Sequence, residues 1–129
     1  MMWARFALLP ALLLGTAAAA GEADVLAVDV TAAGDGYRFT VTVAHADTGW
    51  DHYADRFEVV APDGAILGVR TLHHPHVDEQ PFTRSLSGVV VPAGVDAVTV
   101  RARDSVHGYG GEAVTVALPD RRPSPVDRP

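Results

Sequence analysis

The chain has 129 residues, no cysteine, and sixteen acidic side chains against ten basic ones, a net charge of -6. The acidic balance argues against nucleic acid, whose phosphates demand a basic face. Without cysteine there are no disulfides, so packing alone must hold the fold.

The first twenty residues carry a single charge, Arg5, then an apolar run over 6–15 and a small-residue end over 16–20, with Ala18, Ala19 and Ala20 as an A-x-A cleavage site. This is the layout of a secretory signal peptide. Its apolar run is shorter than the ~20 residues that span a bilayer, so no membrane span is expected in the mature form. With no cysteine to carry one, no lipid anchor is expected either. Both methionines lie in the leader, which leaves a mature chain with no sulfur ligand, nine arginines and sixteen acids, a net charge of -7. The expected location is periplasmic or secreted.

Seven segments then read as strands from period-two alternation of apolar residues. The first, 25–31, alternates around Leu26, Val28 and Val30, and Gly34-Asp35-Gly36 turns the chain. The second, 37–44, sets Tyr37, Phe39, Val41 and Val43 on one face against Arg38, Thr40 and Thr42, and His45 continues the inward face. A polar and aromatic loop over 45–55 leads to the third strand, 56–61, with Phe57 and Val59 inward. Pro62-Asp63-Gly64 signals a turn into the fourth, 66–72. The fifth, 82–91, has no clear register because Leu86, Val89, Val90 and Val91 do not alternate. The sixth, 97–103, and seventh, 112–118, alternate cleanly around Val98 and Val100 and around Val114 and Val116.

These strands predict one all-β domain over 21–119, a seven-stranded antiparallel two-sheet sandwich that resembles the immunoglobulin and fibronectin type III architectures. The Pro-rich tail over 120–129 has nothing to bury and is expected to be disordered. The runs Thr48-Gly-Trp-Asp-His-Tyr-Ala-Asp55 and His74-Pro-His76 are similar to stretches of small exported bacterial proteins of unknown function, a resemblance that implies no activity.

If each connection reverses the chain, loops alternate between the two ends of the domain. The second, fourth and sixth loops would then gather all six histidines at one end: His45 and His52, then His73, His74 and His76, then His107. Pro75 forces an extended backbone at His74, so His74 and His76 point to one side. The expected metal ligands are therefore His74 and His76, completed by His107 or His52. Asp51 or Asp104 would orient a ring from behind, and Trp50, Tyr53 and Tyr109 would line the site. Imidazole without thiolate favours Zn(II) or Cu(II). His45 is expected to serve the core, not the site. The competing expectation is a structural or interaction domain of the cell envelope, without metal, in which hydrogen-bonded histidines shape a surface for another envelope protein. In either case the expected state is a monomer. No catalytic triad or nucleophile elbow is present, and no enzyme activity is assigned.

Overall fold

A computed structural model describes residues 21–120. The leader and the tail beyond 120, on which the sequence places a signal peptide and disorder, lie outside the described residues.

The seven strands are β1 (Asp24–Ala33), β2 (Gly36–Ala44), β3 (Ala54–Val60), β4 (Ile66–Thr71), β5 (Phe82–Val89), β6 (Ala97–Asp104) and β7 (Val114–Ala117). All pairings are antiparallel. One sheet has the order β1-β2-β5 and the other β4-β3-β6-β7. No helix among the described residues is long and apolar enough to cross a membrane.

The alternation on β2 does what a half-buried strand requires. Phe39, Val41 and Val43 are fully buried, while Thr40 and Thr42 meet Ser85 and Thr83 of β5 through side-chain hydrogen bonds of 3.1 and 2.9 Å on the outer face. Facing them across the sandwich are Phe57 and Val59 of β3 and Val98, Val100 and Ala102 of β6, all in one core cluster. Truncating one such buried phenylalanine to alanine costs about 3–5 kcal/mol in a packed core.

Register shifts interrupt four of the five strand pairings, and those on β1 and β5 fall where spacing alone misplaces the phase or leaves it open. On β1 the register shifts between Val25 and Ala27, so Leu26 is the extra residue. Val25 is buried and Leu26 is exposed, contrary to the inward placement of Leu26 expected from its spacing to Val28 and Val30. An inserted residue reverses the phase of everything before it. On β5, Leu86 pairs with Phe39 and Val89 with Tyr37, so three residues advance on β5 while two advance on β2. Gly88, at φ +73°, absorbs the irregularity. The strand closes at Val89, and Val90 turns out to solvent.

Candidate metal centre

The inward phases of two strands carry the site past the end of the apolar core. On β2 the series Tyr37, Phe39, Val41, Val43 continues into His45 and then Asp47, both buried. On β6 the series Val98, Val100, Ala102 continues into Asp104, which is completely buried. One strand belongs to each sheet, so a histidine and two carboxylates converge where the sandwich opens. His52, from the loop between β2 and β3, lies between them.

The contacts follow. His45 Nδ1 lies 2.6 Å from Asp47 Oδ1. On the other side of the ring, His45 Nε2 lies 3.2 Å from His52 Nε2 and 3.0 Å from the Gly21 carbonyl oxygen. His52 Nε2 is in turn 3.2 Å from Asp104 Oδ1. The three side-chain atoms of His45, His52 and Asp104 all lie within 4.8 Å of one another. Ligand atoms on a tetrahedral ion with bonds of about 2.0–2.2 Å stand roughly 3.3–3.6 Å apart, and neighbouring ligands at right angles about 2.9–3.1 Å. Both 3.2 Å contacts fall between these values, so the spacing of the three atoms is one that a single ion could span.

Asp104 is fixed as an acceptor. Its Oδ1 accepts the backbone N–H groups of Val106, at 2.8 Å, and His107, at 2.7 Å. Burial alone would raise its pKa, but those two backbone donors, with His107 and His45 nearby, outweigh burial and hold the carboxyl below the ordinary aspartate range. The His107 ring also turns its Nδ1 to both Asp104 oxygens, at 3.2 and 3.3 Å, with its centroid 5.0 Å from that of His52.

Asp47 joins a second pair of loops. Its Oδ1 accepts from Ala54 N at 3.0 Å as well as facing His45, and its Oδ2 accepts from His76 N at 2.7 Å. Gln80 ties the same loops again, its Oε1 accepting from His45 N at 2.9 Å and its Nε2 donating to the His76 carbonyl at 3.0 Å. The second, fourth and sixth connections therefore do meet at one end of the sandwich.

Of the residues that sequence reasoning singled out, His52, His107 and Asp104 stand together in this centre. His74 and His76 form a separate pair with centroids 4.7 Å apart. The His76 ring is buried and stacked on Phe82 at 4.1 Å, and its Nδ1 has no hydrogen-bond partner. Burial first, then Arg84 and His74, push its pKa down. Asp51 faces solvent. Trp50 packs edge-on against Tyr53 at 5.6 Å and is otherwise exposed. Tyr109 lies elsewhere, under the Arg101 guanidinium at 4.2 Å and against Glu58, where burial and that carboxylate raise its pKa to about 12. Sequence reasoning left His45 and Asp47 out of the site. The signal that could have placed them there was the uninterrupted period-two phase from Tyr37.

No family model matches the chain, and no solved structure matches it. Over 98 residues, 74% of this chain, it is 47% identical to a protein of Halomicrobium mukohataei named "Putative lipoprotein". The match covers 47% of that protein, so the chain spans about half the length of the curated relative it matches.

Proposed function

We propose that the chain is an exported β-sandwich binding module that holds one divalent transition metal, Zn(II) or Cu(II), between His45, His52 and Asp104. The observation that carries this reading is convergence: two imidazole nitrogens and a carboxylate oxygen, one from each of three chain segments, lie within 4.8 Å of one another. His45 Nδ1 faces Asp47, and His45 Nε2 faces His52. His52 Nε2 stands between His45 Nε2 and a carboxylate whose ionised form is favoured. A cation bound to all three atoms satisfies them together, with Asp47 as the carboxylate that orients His45 from behind.

The leader pattern and the similarity to a protein named as a lipoprotein support export to the cell envelope. The strand order supports a fibronectin type III-like sandwich, with the first, second and fifth strands against a sheet edged by the fourth. A second reading, docking of an envelope protein, is favoured by one observation: each histidine loop carries an exposed apolar side chain close to a histidine, Trp50, Val77 and Val106.

The test is metal content of protein made without a His tag, followed by calorimetric titration at pH 7.5. One Zn(II) or Cu(II) per chain, lost in His52→Ala, is the expected result. No stoichiometric binding of either ion would leave the docking reading.

A further inference from the structure

We infer that the mature amino terminus is itself a ligand: hydrolysis of the Ala20–Gly21 bond, water adding across it to leave the Ala20 carboxylate and a free Gly21 amine, completes the metal centre. This rests on the metal reading above and on cleavage at the small-residue site by a leader peptidase.

The geometry begins with the Gly21 carbonyl oxygen, 3.0 Å from His45 Nε2. With an ion on the Nε2 lone pair, the carbonyl oxygen stands as a neighbouring ligand and no longer as an acceptor of a ring proton. Two neighbouring ligands on one ion, each bonded at about 2.1 Å, stand roughly 3.0 Å apart. The contacts Gly21 O to His45 Nε2 to His52 Nε2 to Asp104 Oδ1, at 3.0, 3.2 and 3.2 Å, then form one connected run of polyhedron edges. The Gly21 nitrogen is two bonds beyond its own carbonyl carbon. Nitrogen and oxygen of that residue close a five-membered ring on one ion, but only when the nitrogen is an amine, because an amide nitrogen in a peptide bond has no available lone pair.

The segment behind Gly21 is held in place, which is what makes its terminus a usable ligand. Ala23 and Val25 are buried in the core. Val25 N donates to the Glu112 carbonyl at 2.8 Å, and Glu112 N donates to Asp24 Oδ1 at 2.7 Å. Gly110 and Gly111 press so closely that a Cβ on Gly111 would overlap the Ala23 carbonyl oxygen. Beside the centre an open groove of about 490 Å³, lined by Glu22, Asp24, His45 and Asp47 among others, gives a cation an acidic approach.

The composition supplies a clean test. Every basic side chain is arginine, so after cleavage the Gly21 amine is the one primary amine in the chain. The exported, processed protein, its amino terminus verified as Gly21, is acetylated with an amine-reactive ester and compared with the untreated protein. All seven strands lie in residues 24–117, so the processed chain contains the whole fold. The probe is Cu(II) at pH 7.5, read by chelator competition and by electron paramagnetic resonance. Acetylation should weaken Cu(II) binding at least about tenfold through loss of the chelate and remove one nitrogen from the spectrum, with the melting temperature of the metal-free protein unchanged. Equal affinity and identical spectra for the free and acetylated proteins would overturn the terminal ligand and leave the side-chain centre standing. Absence of stoichiometric binding in both would overturn the two together. Full affinity retained in His45→Ala with His52→Ala would place the amine-bound copper away from the cluster and overturn the proposal as well.

Discussion

Asp47→Ala is the substitution on which most of the loop end depends. The carboxylate is fully buried and meets three donors: His45 Nδ1 at 2.6 Å, Ala54 N at 3.0 Å and His76 N at 2.7 Å. Alanine leaves three buried donors without an acceptor. Each such orphan costs about 1–3 kcal/mol, and partial entry of water as the loops loosen keeps the sum below the maximum, so the expected loss is roughly 3–6 kcal/mol. That is a large part of the ~5–15 kcal/mol that holds a small domain together. At about 4–8 °C per kcal/mol for a domain of this size, the melting temperature should fall by more than ~12 °C. Asp47→Asn retains one oxygen for two of the donors but sets its NH2 against the third, and should lose about 1–3 kcal/mol. The assay is urea unfolding of the metal-free protein at pH 7.5, followed by tryptophan fluorescence and circular dichroism. A loss below about 1 kcal/mol for Asp47→Ala would refute the reasoning, because it would mean that the three loops do not depend on a shared acceptor.

Acid should destabilise the metal-free fold in two ranges. The folded pKa of His76 is lowered, so its contribution is complete above about 6.5 and is lost as pH falls from there toward the folded value. Asp104 is also lowered, so its contribution is present above the unfolded value of ~3.9 and vanishes only as pH falls through the folded one. His76→Phe, measured by urea midpoints at pH 7.5 and 5.5, should flatten the first range and leave the second; an unchanged slope would show that the buried ring does not control it. Gly111→Ala should destabilise by about 1–3 kcal/mol because the added carbon displaces the Ala23 carbonyl, while Gly21→Ala in the processed chain, with open space around it, should shift stability by less than ~0.5 kcal/mol. Thermal melts of the two decide it, and equal melting temperatures would remove the clamp. Zn(II) at a hundred times its dissociation constant should add about 2.7 kcal/mol of stability at pH 7.5 and little at pH 5, where protons compete for the imidazole lone pairs; a gain that survives in His52→Ala would place the ion elsewhere.

The fold was legible wherever a strand has one wet and one dry face. β2 and β6 announced themselves because the core face takes Phe, Val and Ala and the outer face takes Thr and Arg. On that outer face Arg101 and Glu58 pair directly across β6 and β3 at 2.9 Å. β1 and β5 were harder for one physical reason: a bulge changes the inward phase by one residue, and neither Leu26 nor the Leu86 to Val89 spacing reveals where the extra residue falls without the partner strand. In the loop after β6, Gly108 takes a positive φ of +76°, whereas Gly110 and Gly111 serve close approach to Glu22 and Ala23.

The site was legible at the level of which loops meet, and less so at the level of which atoms meet. Loop parity brings His52, His76 and His107 to one end, but it says nothing about depth. Depth is set by the strands: a residue on the inward phase just past the last apolar position must point into the sandwich, whatever its polarity. That condition selects His45, Asp47 and Asp104 and separates them from His74, which is exposed; His76, from a loop and not from a strand end, is buried here as well. Burying a carboxylate there is unfavourable unless donors meet it, and the donors come from chain positions far apart: His76 reaches Asp47 across twenty-nine residues. No local pattern encodes such a pairing. What the sequence does carry is the need for it, because a buried acid at the end of β6 and another just beyond β2, one strand in each sheet, require something positive between them, whether N–H groups, a protonated imidazole or a metal ion.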